Sequence, residues 1–401
     1  MTMRTDIQPA GGHTRWGLVL ALFLTGLLAA GQFAKVALTI DTAHEVWPGA
    51  GRGVAMAISV VGIVGILFGV MAGGLVARIG ARRALVGAMA FGGAVSLLQA
   101  LLPPFALFLL SRVLEGASHL VIVVAAPTLM AAAASEGMRP VVMGIWGTFF
   151  GVGFALTAAI VPGLIGAGGL PLLFALHGAG LLAMAAVLWP LLPRSGRGAP
   201  VSLTNYVAQH RLTYSDARRR APAIGFVCYT ASYISLVTFL APRIGGAATA
   251  VLPLVSLVGT LAAGVMCRRA PPARVATIGY GASAAALLVL LAVPEEARFA
   301  VAIVQFICLG LVPGASFADI AALNAAGPDR ARATGAIAQF GNIGTTLGPP
   351  IFSLFAASIG GICGLAAALS VIGMIAVRAA HRGIGPLPAA APEAEARHAQ
   401  D

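Results

Sequence analysis

Apolar residues run along this chain in long unbroken blocks, and the polar residues gather in the short gaps between them. No Asp, Glu, Lys or Arg interrupts Gly53–Ala77, Val141–Pro193, Ala221–Pro242, Val275–Pro294 or Ala333–Val377. A helix needs about 20 apolar residues to cross the hydrocarbon core of a bilayer. Buried helices of globular domains seldom run this far without a charge. The blocks therefore predict an all-α chain that lives in a membrane. Pro103-Pro104, Gly166–Pro171 and Gly360-Gly361 are turn signals that divide the longest runs. The resulting spans are 16–40, 53–77, 84–102, 105–133, 141–166, 170–192, 222–241, 245–267, 275–293, 299–325, 333–358 and 361–380, twelve transmembrane helices in all.

Composition agrees with this reading. Hydrophobic residues make up 59% of the 401 positions and charged residues 9%, against about 25% charged in an ordinary soluble domain. Such a chain cannot cover a water-facing surface. Arg4 and Arg15 precede the first run, but Trp16–Ile40 is too long for the h-region of a cleaved signal peptide and is expected to stay as the first span. The four cysteines (Cys228, Cys267, Cys308 and Cys363) fall in or beside apolar runs without metal-ligand spacing and are expected to serve packing.

The net charge of +12 forms no aromatic-interleaved basic stripe, so no nucleic-acid partner is expected. Its distribution is topological instead. Arg78, Arg82, Arg83, Arg139, Arg194, Arg197, Arg211, Arg218, Arg219, Arg220, Arg268, Arg269, Arg274, Arg330, Arg332, Arg378 and Arg382 fall on the side of the termini. The other side keeps Arg52, Arg243 and Arg298, with Asp41, Glu45, Glu295 and Glu296. By the positive-inside rule both termini are expected in the cytoplasm of a cell whose inner (plasma) membrane holds the chain as a multi-pass protein. The one long connection, after span six, is basic and splits the chain into a cytoplasmic N-terminus (1–15), an N-terminal six-helix bundle (16–193), a cytoplasmic linker (194–221), a C-terminal six-helix bundle (222–380) and a disordered cytoplasmic tail (381–401). A surface helix within the linker is compatible with its composition.

The halves carry a repeat. Gly73, Arg78 and Arg83 match Gly264, Arg269 and Arg274 at a shift of 191, and Gly144 through Gly153 match Gly335 through Gly344 at the same shift. Two matches at one offset, at spans two and five of each half, indicate a parallel duplication. Transporters built from such repeats bind solute at the repeat interface near the midplane.

These features resemble the major facilitator superfamily. The loop after span two resembles that family's signature through Gly73, Leu75, Arg78, Gly80 and Arg82, with Ala77 and Ala81 departing from it, and Arg112 through Gly116 resemble its span-four motif. The resemblance implies two six-helix bundles related by a pseudo-two-fold axis and secondary transport by alternating access. It also implies a cytoplasmic gate at Gly73, Arg78, Gly80 and Arg82. Asp319, a turn or two from the cytoplasmic end of span ten, is read as a gate or structural contact ahead of a substrate contact, pairing with Arg332 or another loop arginine. The glycine-rich span five (Gly144, Gly147, Gly151, Gly153) carries Pro162-Gly163 in reversed order, while Gly344, Gly348 and Pro349 place a similar element in span eleven. These glycines serve either close packing or a rocking motion.

Ionisable residues at membrane depth are costly and mark function. They are Lys35, which is the only lysine, with Arg112, Glu115, His119 and Asp319. Arg112, Glu115 and His119 share one face of span four. The expectation is a polar cluster of Lys35, Gln32, Arg112, Glu115 and His119 in the outer half of the N-terminal bundle. Its net positive charge would suit an anionic solute group, and Glu115 or His119 would carry a coupling proton. The competing readings are a structural Arg112–Glu115 pair and a Lys35 that snorkels outward. In the C-terminal half Tyr229, Tyr233, Gln339, Asn342 and Thr346 are the neutral polar candidates, for solute contact or for interhelical hydrogen bonds. Trp146, Phe149 and Phe150 either flank an aromatic or apolar solute or pack against lipid or neighbouring helices.

No catalytic pair and no phosphate-binding loop is present in the sequence, so an enzyme or ATP-driven pump is not expected, and no cofactor beyond a proton gradient is called for. The expected partners are a small-molecule solute and the bilayer, with the chain acting as a monomer. Uptake of an organic anion and efflux of drugs or metabolites by antiport both remain open.

Overall fold

The computed structural model describes residues 13–51, 53–135, 138–193, 206–324 and 327–385. The expectations for residues 1–12, the linker stretch 194–205 with Arg194 and Arg197, Arg52, and the tail 386–401 lie outside the described residues.

Among the described residues every regular element is helical. The N-terminal half contains α1 (Trp16–Ala37), α2 (Ile40–Val46), α3 (Gly53–Ser59), α4 (Gly62–Ile79), α5 (Ala81–Gln99), α6 (Phe105–Ala133), α7 (Arg139–Gly147) and α8 (Phe149–Leu191). The linker supplies α9 (Tyr206–Tyr214). The C-terminal half contains α10 (Ala217–Ile224), α11 (Phe226–Ser235), α12 (Ala241–Ile244), α13 (Ala248–Met266), α14 (Pro272–Ala292), α15 (Glu295–Leu323), α16 (Gly327–Ser353) and α17 (Ile359–His381). A π-helical turn, Leu236–Leu240, joins α11 to α12.

Among the described residues ten candidate membrane spans are long and apolar enough to cross a bilayer. One of them, α8, runs for 43 residues and breaks at Gly168 and Gly169. Gly169 has φ 65, where a Cβ is strongly disfavoured, so the Gly166–Pro171 signal marks a real reversal between two stretches of helix. The 27-residue α16, which carries Arg330 and Arg332 at its start, is not among the ten.

The elements alternate between two faces. On the linker face the start of α1 meets the end of α6, with Arg15 N–H donating to the Ala133 carbonyl at 2.9 Å. On the opposite face the Trp47 indole donates to the Pro103 carbonyl at 3.1 Å. Within the N-terminal half α1 packs on α8 and α6, and α5 packs between α8 and α6. Within the C-terminal half α15 packs on α13 and α14, and α16 packs on α11. The halves meet along three helix pairs, α3 and α4 with α16 and α8 with α13.

Small residues set these close approaches, as expected where helices pack without a solvent-driven hydrophobic force. A Cβ on Gly116 of α6 would collide with the Val61 carbonyl at the α3–α4 junction. Gly344 and Gly348 of α16 sit against Val227, Thr230 and Ala231 of α11, so this pair packs helix on helix. Gly151 faces Pro253 and Leu257 of α13 across the seam between the halves. By contrast nothing lies within 4 Å of a Cβ at Gly73, Gly144 or Gly147.

Gly116→Val should therefore cost about 1–3 kcal/mol through overpacking, whereas Gly73→Ala should be neutral or slightly stabilising. Thermal unfolding of the purified variants in detergent checks both; equal behaviour would refute the assignment of the close contact.

Candidate functional site

The charged residues of the N-terminal half are brought together in one buried network. Lys35 of α1 reaches away from the bilayer surface: its Nζ donates to Ser96 Oγ at 2.8 Å, Gln99 Oε1 at 2.8 Å and Glu115 Oε1 at 2.7 Å. It lies 5.1 Å from the centre of the Phe174 ring. Glu115 also accepts from Arg112 on its own helix and from Gln99 Nε2 at 3.0 Å. The remaining Arg112 donors go to backbone, Nε to the Ala57 carbonyl at 2.8 Å and a terminal nitrogen to the Gln32 carbonyl at 2.7 Å. The snorkelling alternative for Lys35 is thus not what the structure shows: Lys35 is 1% exposed, and Arg112 and Glu115 are 0% exposed.

Two histidines border the network, each with its proton placed by a carbonyl that can only accept. His177 Nε2 lies 3.0 Å from the Leu28 carbonyl, which leaves Nδ1 as an acceptor 3.3 Å from Lys35 Nζ. His119 Nδ1 lies 3.1 Å from the Ala29 carbonyl and 3.2 Å from Gln32 Oε1, and Gln32 Nε2 donates to Ser118 Oγ at 3.2 Å. Toward the opposite face the Trp47, Phe108 and Phe174 rings stack in sequence, with centroids 4.4 and 5.8 Å apart, and cover the cluster. With neutral histidines, two cations and one carboxylate leave a net charge of +1 sealed inside the bundle.

Ser96, Gln99, Ser118 and His177 were not among the sequence candidates. Their signal was present as isolated polar residues in apolar runs: Ser96 and Gln99 lie at i and i+3 on α5, and His177 is the single ionisable side chain of Val141–Pro193.

The C-terminal candidates occupy the seam. Gln339 Nε2 donates to the Ile66 carbonyl of α4. Gly65 and Gly62 of α4 make room for Asn342 and Thr346, since a Cβ at either glycine would collide with those side chains. Tyr229 and Tyr233 form an aromatic line, Tyr233 lying 6.4 Å from Phe150 of the other half and 6.0 Å from Phe306. The hydroxyls of Ser232, Tyr233, Ser235 and Thr346 are buried and make no hydrogen bond of ordinary geometry, although Tyr233 comes near Ser256. Trp146 and Phe149 stack at 4.5 Å beside Gly26, within the N-terminal half.

A cavity of 440 Å³ lies between the halves on the opposite face. Ile40, Asp41, His44 and Ala55 line it from one side, and Thr238, Phe239, Pro242, Arg243, Ser353 and Ala356 from the other. On the linker face α9 packs against both α4 and α16. Burial raises the Tyr214 phenol at its end to about 12, which keeps it a hydrogen-bond donor at physiological pH.

The residues expected at the gate do not converge. Arg82 stacks on the Trp189 ring at 4.3 Å, Arg78 is exposed, and Gly80 adopts φ 91 in the tight turn between α4 and α5. The side chain of Ala77 lies outside the described set. The pairing expected for Asp319 is corrected: its carboxylate lies 2.6 Å from His381 Nε2 at the end of α17, while Arg332 pairs with Asp329 at 3.2 Å. Arg332 is committed to its i−3 neighbour on α16, whereas α14, α15 and α17 pack together and bring His381 to Asp319.

This architecture has relatives. The sequence profile of the Major Facilitator Superfamily matches residues 18–323. A structure of the xylose transporter XylE from E. coli, in a partially occluded inward-open conformation, superposes with a TM-score of 0.69 at 15% identity, covering 90% of this chain and 97% of that one. No curated protein sequence matches the chain. The chain belongs to the Major Facilitator Superfamily, a family of membrane transporters.

Glu115→Gln leaves two buried cations without their shared counter-charge and should destabilise the chain by about 3–5 kcal/mol. Adding Lys35→Met returns the buried charge to +1 and should recover part of that loss. A double-mutant cycle on apparent Tm in detergent reads it; additive losses would show that the two side chains do not interact.

Proposed function

We propose that the chain crosses the inner membrane twelve times, with both termini cytoplasmic, and works as a secondary transporter of a small organic solute by alternating access. The observation that carries this reading is the seam: α3 and α4 against α16 and α8 against α13 hold the halves together, and between the halves lies a 440 Å³ cavity on the face away from the linker. A protein that only scaffolded would have no need of a cavity between two bundles joined so sparingly. Solute recognition is assigned to the seam side chains, with the unbonded hydroxyls of Tyr233 and Thr346 as hydrogen-bonding groups and Asn342 beside them.

The Lys35–Glu115–Arg112 network is given a coupling role. It is sealed and fully hydrogen-bonded, so direct solute contact is the weaker assignment. Glu115 is held between two cations, and protonating it would release both from their shared partner and loosen α1, α5 and α6 from one another. The residual positive charge favours an anionic solute as the companion, with the proton gradient as driving force. Arg243, whose guanidinium donates to the Phe239 and Ala356 carbonyls beside the cavity, adds to the positive potential there.

Counterflow of labelled organic anions in proteoliposomes, with a neutral pentose for comparison and with and without a pH gradient, tests the whole reading. Anion counterflow that rises with the gradient is expected, and indifference to pH would remove the coupling claim. Lys35→Ala and Arg112→Ala should each reduce gradient-driven transport at least tenfold per folded molecule; near-normal rates in both would remove the network from the mechanism.

Tyr233→Phe should raise KM severalfold while leaving the apparent Tm unchanged, because its hydroxyl makes no bond of ordinary geometry within the chain. Paired transport and unfolding measurements check this.

A further inference from the structure

The linker helix α9 leaves Val207, Ala208, Arg211 and Leu212 exposed and turns its other side inward. Its Thr213 is completely buried, and the Tyr214 ring packs 6.0 Å from Phe340 of α16. The Tyr214 hydroxyl donates to Gln339 Oε1. Gln339 stands about three turns inside α16, so α9 reaches into the seam from the linker face.

One amide joins three parts of the chain at that depth. Gln339 Oε1 accepts from the linker helix, while Nε2 donates to the Ile66 carbonyl of the N-terminal half and lies 3.1 Å from His210 Nε2. His210 Nδ1 is 3.0 Å from the Tyr206 carbonyl, which accepts its proton. His210 Nε2 is therefore an acceptor, suited to the second amide hydrogen of Gln339. The end of α9 is fastened as well. Arg219 donates to the Leu212 carbonyl and Arg220 to the Tyr214 carbonyl at 2.9 Å, which satisfies carbonyls of the last helical turn. Arg219 also pairs with Asp329 at the start of α16 at 3.2 Å.

We propose that α9 is a self-inhibitory plug seated in the linker-face mouth between the two halves, which must withdraw before the chain opens to that face. Parting α4 from α16 breaks the Gln339–Ile66 bond, and with Gln339 displaced His210 and Tyr214 lose their shared partner. Seating and opening are mutually exclusive because they compete for one side chain. The plug rests on the transport reading only in that this face must open at some stage.

The test uses the full-length protein in detergent and needs no solute. Hydrogen–deuterium exchange follows the amides of 206–214. A hydrophilic maleimide labels Gly335→Cys, one turn from Gln339 on the face against Val70, with the native cysteines separated by peptide mapping. In the His210→Ala/Tyr214→Phe background the two bonds to Gln339 and the His210–Tyr206 bond within α9 are lost, and both readouts should rise by about three- to tenfold or more. The proposal is overturned if α9 exchange rises while labelling at Gly335→Cys stays constant, because the helix would then cover nothing. It is equally overturned if neither readout moves, or if α9 of the parent chain exchanges at the rate of an unfolded peptide. Labelling of Ser353→Cys in the opposite-face cavity is followed alongside. It should fall as Gly335→Cys becomes accessible if access alternates, so its failure to fall counts against the transport reading and leaves the plug standing.

Discussion

The N-terminal half is organised around one carboxylate. Glu115 takes hydrogen bonds from Lys35 of α1, Gln99 of α5 and Arg112 of its own helix, and Arg112 in turn reaches the backbone of α1 and α3. In a bilayer no water can repair a broken contact of this kind, so a buried charge survives only when every donor and acceptor around it is matched. The matching dictates much else: the polar stripe on α5, the placement of His177, and the stack of Trp47, Phe108 and Phe174 that excludes water from above. A cluster this demanding fixes the relative rotation of four helices far more tightly than apolar side chains would.

The C-terminal half solves the same packing problem differently. At the repeat offset of 191, the positions of Glu115, Ser96 and Gln99 correspond to Phe306, Leu287 and Leu290, all fully buried in the apolar core. At these positions one half is thus pinned by directional bonds and the other by shape. The proposed division of labour, coupling in the first half and solute contact in the second, follows this asymmetry. A protonation event can change the first core abruptly, whereas the second presents hydroxyls and aromatic rings along α11 and α16 with no charge to neutralise.

Between these bundles the seam is built for separation. Glycines of α4 admit Asn342 and Thr346 of α16, and the Gln339 amide bonds across. The cavity on one face and the linker helix on the other divide the seam into an unfilled end and a filled end.

Much of this was legible in the sequence because the bilayer imposes local rules. Spans such as 105–133 and 361–380 match α6 and α17 to within a few residues, since apolar length alone decides whether a segment can stay in hydrocarbon. The Gly166–Pro171 break, the twofold repeat and the convergence of Lys35, Arg112 and Glu115 followed from spacing and from the expense of charge at depth. What the sequence left open were the partners across space. His177, Ser96 and Gln99 belong to the network only because α5 and α8 pack beside α1, and Asp319 meets His381 instead of Arg332 because α17 packs on α14 beside α15. The linker read as a basic surface segment, and nothing local to Tyr206–Tyr214 says that it enters the seam. That placement depends on a carbonyl of α4 and an amide of α16 separated by 273 positions in the chain, a proximity that only the assembled halves create.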